Sequence, residues 1–179
     1  MAELVTAALP VDAPPRRLED RVRTIGYWLC TLIVAWEMIA GSIWDLLRIE
    51  YVRVVMTHLG YPLYFLSIIG SWKLPCALAL LVPRFQRLKE WAYAGAFFNY
   101  SGAAASHLLV GDAPGKWVGP LIFAALTLAS WALRPPARRL QRATPPPAVP
   151  AVSWVAPLLI ALALLGLSLA TLPKGPPPP

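Results

Sequence analysis

Glu37 and Lys73 are the two side chains on which any chemistry in this sequence turns. Each interrupts an apolar run: "IGYWLCTLIVAWEMIAGSIWDLL" from Ile25 to Leu47, and "GSWKLPCALALLVP" from Gly70 to Pro83. A lone charge in an apolar setting is expensive, so each needs a partner. Counting along the runs puts Glu37 at the centre of the first, Lys73 just past the centre of the second, and Asn99 and Ser101 at the centre of a third. The expected partnership is therefore Glu37 with Lys73. Pro75 has no N–H, which leaves the Ser71 carbonyl without its helical donor and invites a bend beside the lysine. Nearer one end, Asp45 and His107 fall at similar depth with Ser106 adjacent. A carboxylate and an imidazole so placed can relay a proton, hold a ligand head, or simply hydrogen-bond each other.

The remaining reactive residues say less. Cys30 and Cys76 map to the same half of the apolar layer, where they read either as a redox pair or as small buried hydrophobes. No CxxC or Cys/His ligand spacing is present, so no metal site is expected. Glu90 falls in the first turn of the third apolar helix, where it complements the helix dipole.

Positioning such groups is a matter of membrane helices. Of 179 residues, 58% are hydrophobic and 14% charged, and the mean hydropathy is +0.57. The apolar residues gather in blocks of about 20, the length that crosses a hydrocarbon core. Five blocks are read: 25–47, 61–82, 91–110, 117–133 and 154–172. No alternating strand pattern occurs, so the expected fold is all-α: a four-helix core over 25–133 and a fifth span within 153–173. Around these lie an amino-terminal segment, 1–24, a Pro/Arg-rich linker, 134–152, expected to be extended and disordered, and a tail, 174–179. The first 24 residues fit neither a secretory signal nor a transit peptide, which makes the first span its own targeting signal.

Arginine and lysine set the expected orientation. Arg16, Arg17, Arg21 and Arg23 precede the first block, Arg84, Arg87 and Lys89 follow the second, and Arg134, Arg138, Arg139 and Arg142 follow the fourth. By the positive-inside bias, the amino terminus is cytoplasmic and the carboxyl terminus outside. The net charge of +7 is thus read as a topology signal, and no nucleic-acid partner is expected. Between the first two blocks, "RIEYVRVVMTHLG" is apolar at Ile49, Val52, Val55, Met56 and Leu59, the spacing of an amphipathic surface helix. Cys30, Glu37, Gly41 and Asp45 share one side of the first helix. Ala92, Gly95, Asn99, Gly102, Ala103 and Ser106 share one side of the third, read as a close-packing face of small residues.

The run from Thr57 to His107, with "HLGYP", "WKL", "ALALLVP", "LKEWAYAG" and "GAAASH", resembles the DoxX-like membrane proteins, small four-helix bacterial proteins; the likeness covers about Gly26 to Leu133. It carries Lys73, Glu90, Trp91, Tyr93, Gly95, Ser106 and His107 as family-pattern positions. "LPC" at Leu74–Cys76 departs from the leucine and glycine of the pattern, and the fifth helix is an addition. The resemblance implies a bacterial cytoplasmic membrane protein associated with redox work.

The expected function is that of an accessory subunit without catalytic activity of its own. Its buried polar site, drawn from Glu37, Asp45, Lys73, Asn99, Ser106 and His107, would bind a small amphipathic ligand such as a quinone, or dock a membrane redox partner. No haem, flavin, iron–sulfur or nucleotide motif is present, so no resident cofactor is expected. A small carrier, proton-coupled and homo-oligomeric, and a membrane assembly factor are the alternatives.

Overall fold

The computed structural model describes residues 18–140 and, further on, Val155, Leu159, Ile160 and Ala163. The chain divides into two units, Met1–Gln141 and Arg142–Pro179. Residues 1–17, most of the linker and most of the fifth apolar block lie outside the described residues. The four described positions of that block are helical.

The first unit is a bundle of helices: α1 (Leu18–Leu47), α2 (Glu50–His58), α3 (Tyr64–Leu81), α4 (Gln86–Leu109) and α5 (Pro114–Leu133), then a 3-10 turn, Pro136–Arg138. The all-α membrane bundle expected from the sequence is the fold observed. α1, α3 and α5 are long and apolar enough to cross a bilayer. α4 matches them in length, but its charged first turns and its Asn99, Ser101, Ser106 and His107 lower its hydropathy. Exposed aromatic rings cover the outside; Trp72 and Trp91 are 72% and 79% exposed. In water such a surface would aggregate, whereas in hydrocarbon it is solvated.

Two boundaries differ from the expectation. α1 is already helical at Leu18, the first described residue and ahead of the apolar run, since nothing in "LEDRVRT" breaks a helix. The first part of the linker is folded, not extended: Arg134 and Arg138 are held by hydrogen bonds to the bundle. α2 does follow its predicted amphipathicity. Val52 is buried and Ile49, Val55, Met56 and Leu59 are half-buried, while Tyr51 and Val54 are exposed.

α1 packs closely on α3, and two glycines permit it. A side-chain carbon on Gly70 would lie 3.0 Å from Asp45 Cβ and 3.1 Å from the Ser42 carbonyl oxygen. Ser42 Oγ donates to the Gly70 carbonyl at 2.7 Å, fixing the crossing. α5 packs against α1 and α4. A buried hydrogen-bond chain ties these three together. Thr31 gives its proton to the Tyr27 carbonyl, so Ser130 donates to Thr31 at 2.7 Å and Tyr93 donates to Ser130 at 2.8 Å.

At the basic end, cations cap the carboxyl termini of α3 and α5. Lys89, fully buried, donates to the carbonyls of Ala79 at 2.6 Å and Leu80 at 2.9 Å. Arg138 adds Leu81 at 3.2 Å and the Tyr27 hydroxyl at 3.2 Å. Arg23 reaches the Ala132 carbonyl from α1 at 3.1 Å, and Arg139 turns back to the Arg134 carbonyl at 2.7 Å. The last carbonyls of a helix have no intrahelical donor and carry the negative end of its dipole, so these residues serve both needs. Glu90, read from sequence as complementing its own helix dipole, instead pairs with Arg134 at 2.7 Å and accepts from the Trp131 indole at 2.9 Å, joining α4 to α5.

Replacing Lys89 by Met should therefore destabilise the bundle by about 2–3 kcal/mol, the scale for hydrogen bonds to a charged group. Arg87→Met, at an exposed neighbouring position, should stay within about 0.5 kcal/mol. Denaturant unfolding in mild detergent compares the two; equal losses would show that the Lys89 cap is unimportant.

Candidate functional site

Lys73 does not pair with Glu37. Its Nζ donates to Asp45 Oδ2 at 2.9 Å, and both side chains are nearly buried, 13% and 6% exposed. The reason is position along α1, since Glu37 and Asp45 share one side of that helix about two turns apart. Counting residues gave depth, and Lys73 and Glu37 are indeed close, but the long lysine stem bends toward the Asp45 end of α1. Both groups crowd the surface over Gly41. A carbon at that position would lie 2.9 Å from Lys73 Nζ and 3.1 Å from Glu37 Oε1, so glycine there makes room for the polar centre. Glu37 takes its hydrogen bond from the Tyr100 hydroxyl of α4, whose ring stacks on Phe123 of α5 at 5.3 Å.

The second expected pair is corrected in the same way. Asp45 belongs to Lys73, and His107 pairs with Asp112 in the turn after α4. His107 Nδ1 lies 2.6 Å from Asp112 Oδ2, and His58 Nε2 of α2 lies 2.8 Å from Asp112 Oδ1. A carboxylate only accepts, so both imidazole nitrogens donate. These hydrogen bonds hold the Asp112 carboxyl below the usual carboxylate range. Beside them Ser106 gives its proton to the Gly102 carbonyl at 2.8 Å, which leaves the Tyr61 hydroxyl to donate to Ser106 Oγ at 2.9 Å.

The packing face of α4 shares only Ala92 with the small-residue side read from the sequence. That face is Lys89, Ala92, Tyr93, Ala96, Tyr100, Ala104 and His107. Gly95 and Gly102 have nothing within 4 Å of where a side chain would begin. Together with Asn99, Ala103 and Ser106 they line open space between α3 and α4.

That space consists of two cavities. One, about 370 Å³, lies among Trp72, Pro75, Cys76, Leu88, Trp91 and Gly95. The other, about 530 Å³, is bounded by Glu37, Asp45, Met56, Phe65, Phe98 and Tyr100, among others. Lys73, Asn99, Ile69 and Trp72 border both. The first is lined chiefly by apolar residues and the second holds the charges. Asn99 makes no side-chain hydrogen bond among the described residues and is half-buried between the two.

Both cysteines are free. Cys76 lines the smaller cavity and donates to the Ala92 carbonyl at 3.2 Å, while Cys30 borders neither cavity. No cluster of potential metal ligands occurs among the described residues. Tyr100, Lys89, His58, Tyr61 and Asp112 were missed as polar partners. Tyr100 and Lys89 were legible in principle, since 89, 93, 96, 100, 104 and 107 follow one helical stripe. The residues of the loops were not.

The pairing can be tested by substitution. Lys73→Met and Asp45→Leu should each destabilise by about 3–5 kcal/mol, because each leaves the other charge buried alone, and the double variant should recover much of the loss. The cycle of Lys73→Met with Glu37→Gln should show the smaller coupling. Unfolding in detergent measures both cycles, and a larger Lys73–Glu37 coupling would reverse the assignment.

The groups described here all fall on α1 to α5, and comparison with known families finds the same region. The model of the DoxX-like family matches residues 29–130, more than half of the chain and including Glu37, Asp45, Lys73, Asn99, His107 and Asp112. No curated protein and no solved structure matches the chain. The match ends inside α5, before Arg134, Arg138 and the fifth apolar block, so it spans most of the four long helices, and the chain belongs to the DoxX-like family.

Proposed function

We propose that this membrane protein is an accessory component that binds a small amphipathic molecule, its polar head at Lys73 and its apolar part between α3 and α4. One observation carries the reading: the Lys73 ammonium stands at the junction of a charged and an apolar cavity. An ammonium has three donors, and Asp45 takes one. The Asn99 amide offers a further donor at the same junction. The volumes of 370 and 530 Å³ fall in the range of about 300–1,000 Å³ usual for small-molecule sites. A quinone-like head suits this arrangement, since its keto oxygen accepts from Lys73 and its ring has Trp72 to lie against. Electron transfer would then fall to a membrane partner.

The same reading takes the basic end, with the linker and amino terminus, as the cytoplasmic side of a bacterial membrane, and residues 153–173 as a fifth span that places the tail outside. A small oligomeric carrier is the second reading. It is favoured by the polar groups that continue from Lys73 and Asp45 to Tyr61 and Ser106 along the larger cavity.

Titration of the protein in lipid nanodiscs with a short-chain quinone, followed by tryptophan fluorescence, tests the proposal. Saturable quenching is expected, reduced in Trp72→Phe. Lys73→Met should weaken binding about tenfold or more, equivalent to ~1.4 kcal/mol. Quenching that never saturates, or that Lys73→Met leaves unchanged, would refute the site.

A further inference from the structure

α2 is joined to the rest of the bundle unlike any other helix. It packs on no helix with an extended backbone contact, and its apolar side reaches down so that Met56 and the following Leu59 line the larger cavity. It is flanked by two residues in the left-handed region, Arg48 at φ 49° and Gly60 at φ 77°. Among the described residues, two side-chain ties fasten α2 and the turn after it to α4 and the α4–α5 turn: His58 with Asp112, and Tyr61 with Ser106.

The first tie is built from the far side. Asp112 is fixed by its own N–H donating to the His107 carbonyl at 3.0 Å, and by the His107 imidazole at 2.6 Å. It thus presents Oδ1 to His58, whose side chain is 53% exposed and free to turn into water. The second tie crosses the cavity wall, because Tyr61 and Ser106 both line it. Asp45 and Lys73 line the same cavity as Met56, Leu59, Tyr61 and Ser106.

We propose that the space beneath α2 is a second entrance to the cavity, one that admits water-soluble species, and that the Asp112 carboxylate shared by His58 and His107 keeps it shut. The cleft between α3 and α4 serves molecules dissolved in the membrane; the α2 end serves those dissolved in water. A site with both entrances can bring an amphipathic ligand together with a proton or a small polar reactant at Lys73. That purpose rests on the ligand-binding reading, but the entrance itself does not.

Thiol labelling tests it without any ligand. In a Cys30→Ala, Cys76→Ala background, a reporter at Ala103→Cys lies in the wall of the larger cavity. The protein in nanodiscs is treated with a methanethiosulfonate bearing a trimethylammonium group, which does not partition into lipid. Slow labelling is expected with the latch intact, and labelling about tenfold faster or more in Asp112→Asn and in His58→Gln, since each loses a hydrogen bond to a charged group. His58 is exposed and Asp112 lies in the turn after α4, and size-exclusion profiles identify any variant that misfolds. Rates unchanged in the folded variants would overturn the latch. A reporter with the latch intact that reacts as fast as Tyr51→Cys on the exposed side of α2 would show that the entrance is never closed.

Discussion

A buried ammonium needs an acceptor, and the meeting of the Lys73 ammonium with the Asp45 carboxylate sets the geometry around it. The pair lies between α1 and α3, and it requires those helices to approach more closely than ordinary side chains allow. Gly41 and Gly70 supply the room, and the Ser42 hydroxyl on the Gly70 carbonyl holds it. With α3 drawn onto α1, and α4 held to α5 by Glu90 with Arg134 and by Tyr93 with Ser130, α3 and α4 part along one side. The cleft follows from where the strong contacts are.

The two ends of the bundle are fastened differently. At the basic end, Lys89, Arg138, Arg23 and Arg139 give charged donors to backbone carbonyls. Such bonds are stronger than neutral ones, and they lock helix termini that would otherwise fray. At the α2 end the fastenings are single side chains, and His58 is largely in water.

The sequence was most informative where a period or a length decides the answer. Apolar blocks gave the helices, and the spacing of Val52, Val55, Met56 and Leu59 gave the buried side of α2. Charges at depth gave Glu37, Lys73 and Asp45 as one neighbourhood. What spacing could not supply was how far along α1 the lysine stem reaches, so Lys73 was matched with Glu37 when it meets Asp45 on the same side of that helix. Small residues on α4 looked like a packing face because close approach and open space both call for glycine and alanine; only the position of α3 distinguishes them. Asp112 lies in a turn, where no period operates, and its two histidines come from elements 54 and 5 residues away.

The pairing of Lys73 can be observed directly by solid-state nuclear magnetic resonance of the protein in lipid. The chain has four lysines, at 73, 89, 116 and 174, so a ¹⁵N-lysine sample can be assigned by comparison with Lys73→Met. Carboxyl ¹³C is introduced through aspartate in one sample and glutamate in another. A strong dipolar coupling from the Lys73 ammonium to an aspartate carboxyl, lost in Asp45→Asn, is the predicted result; a stronger coupling to glutamate, or none to any carboxyl, would contradict it.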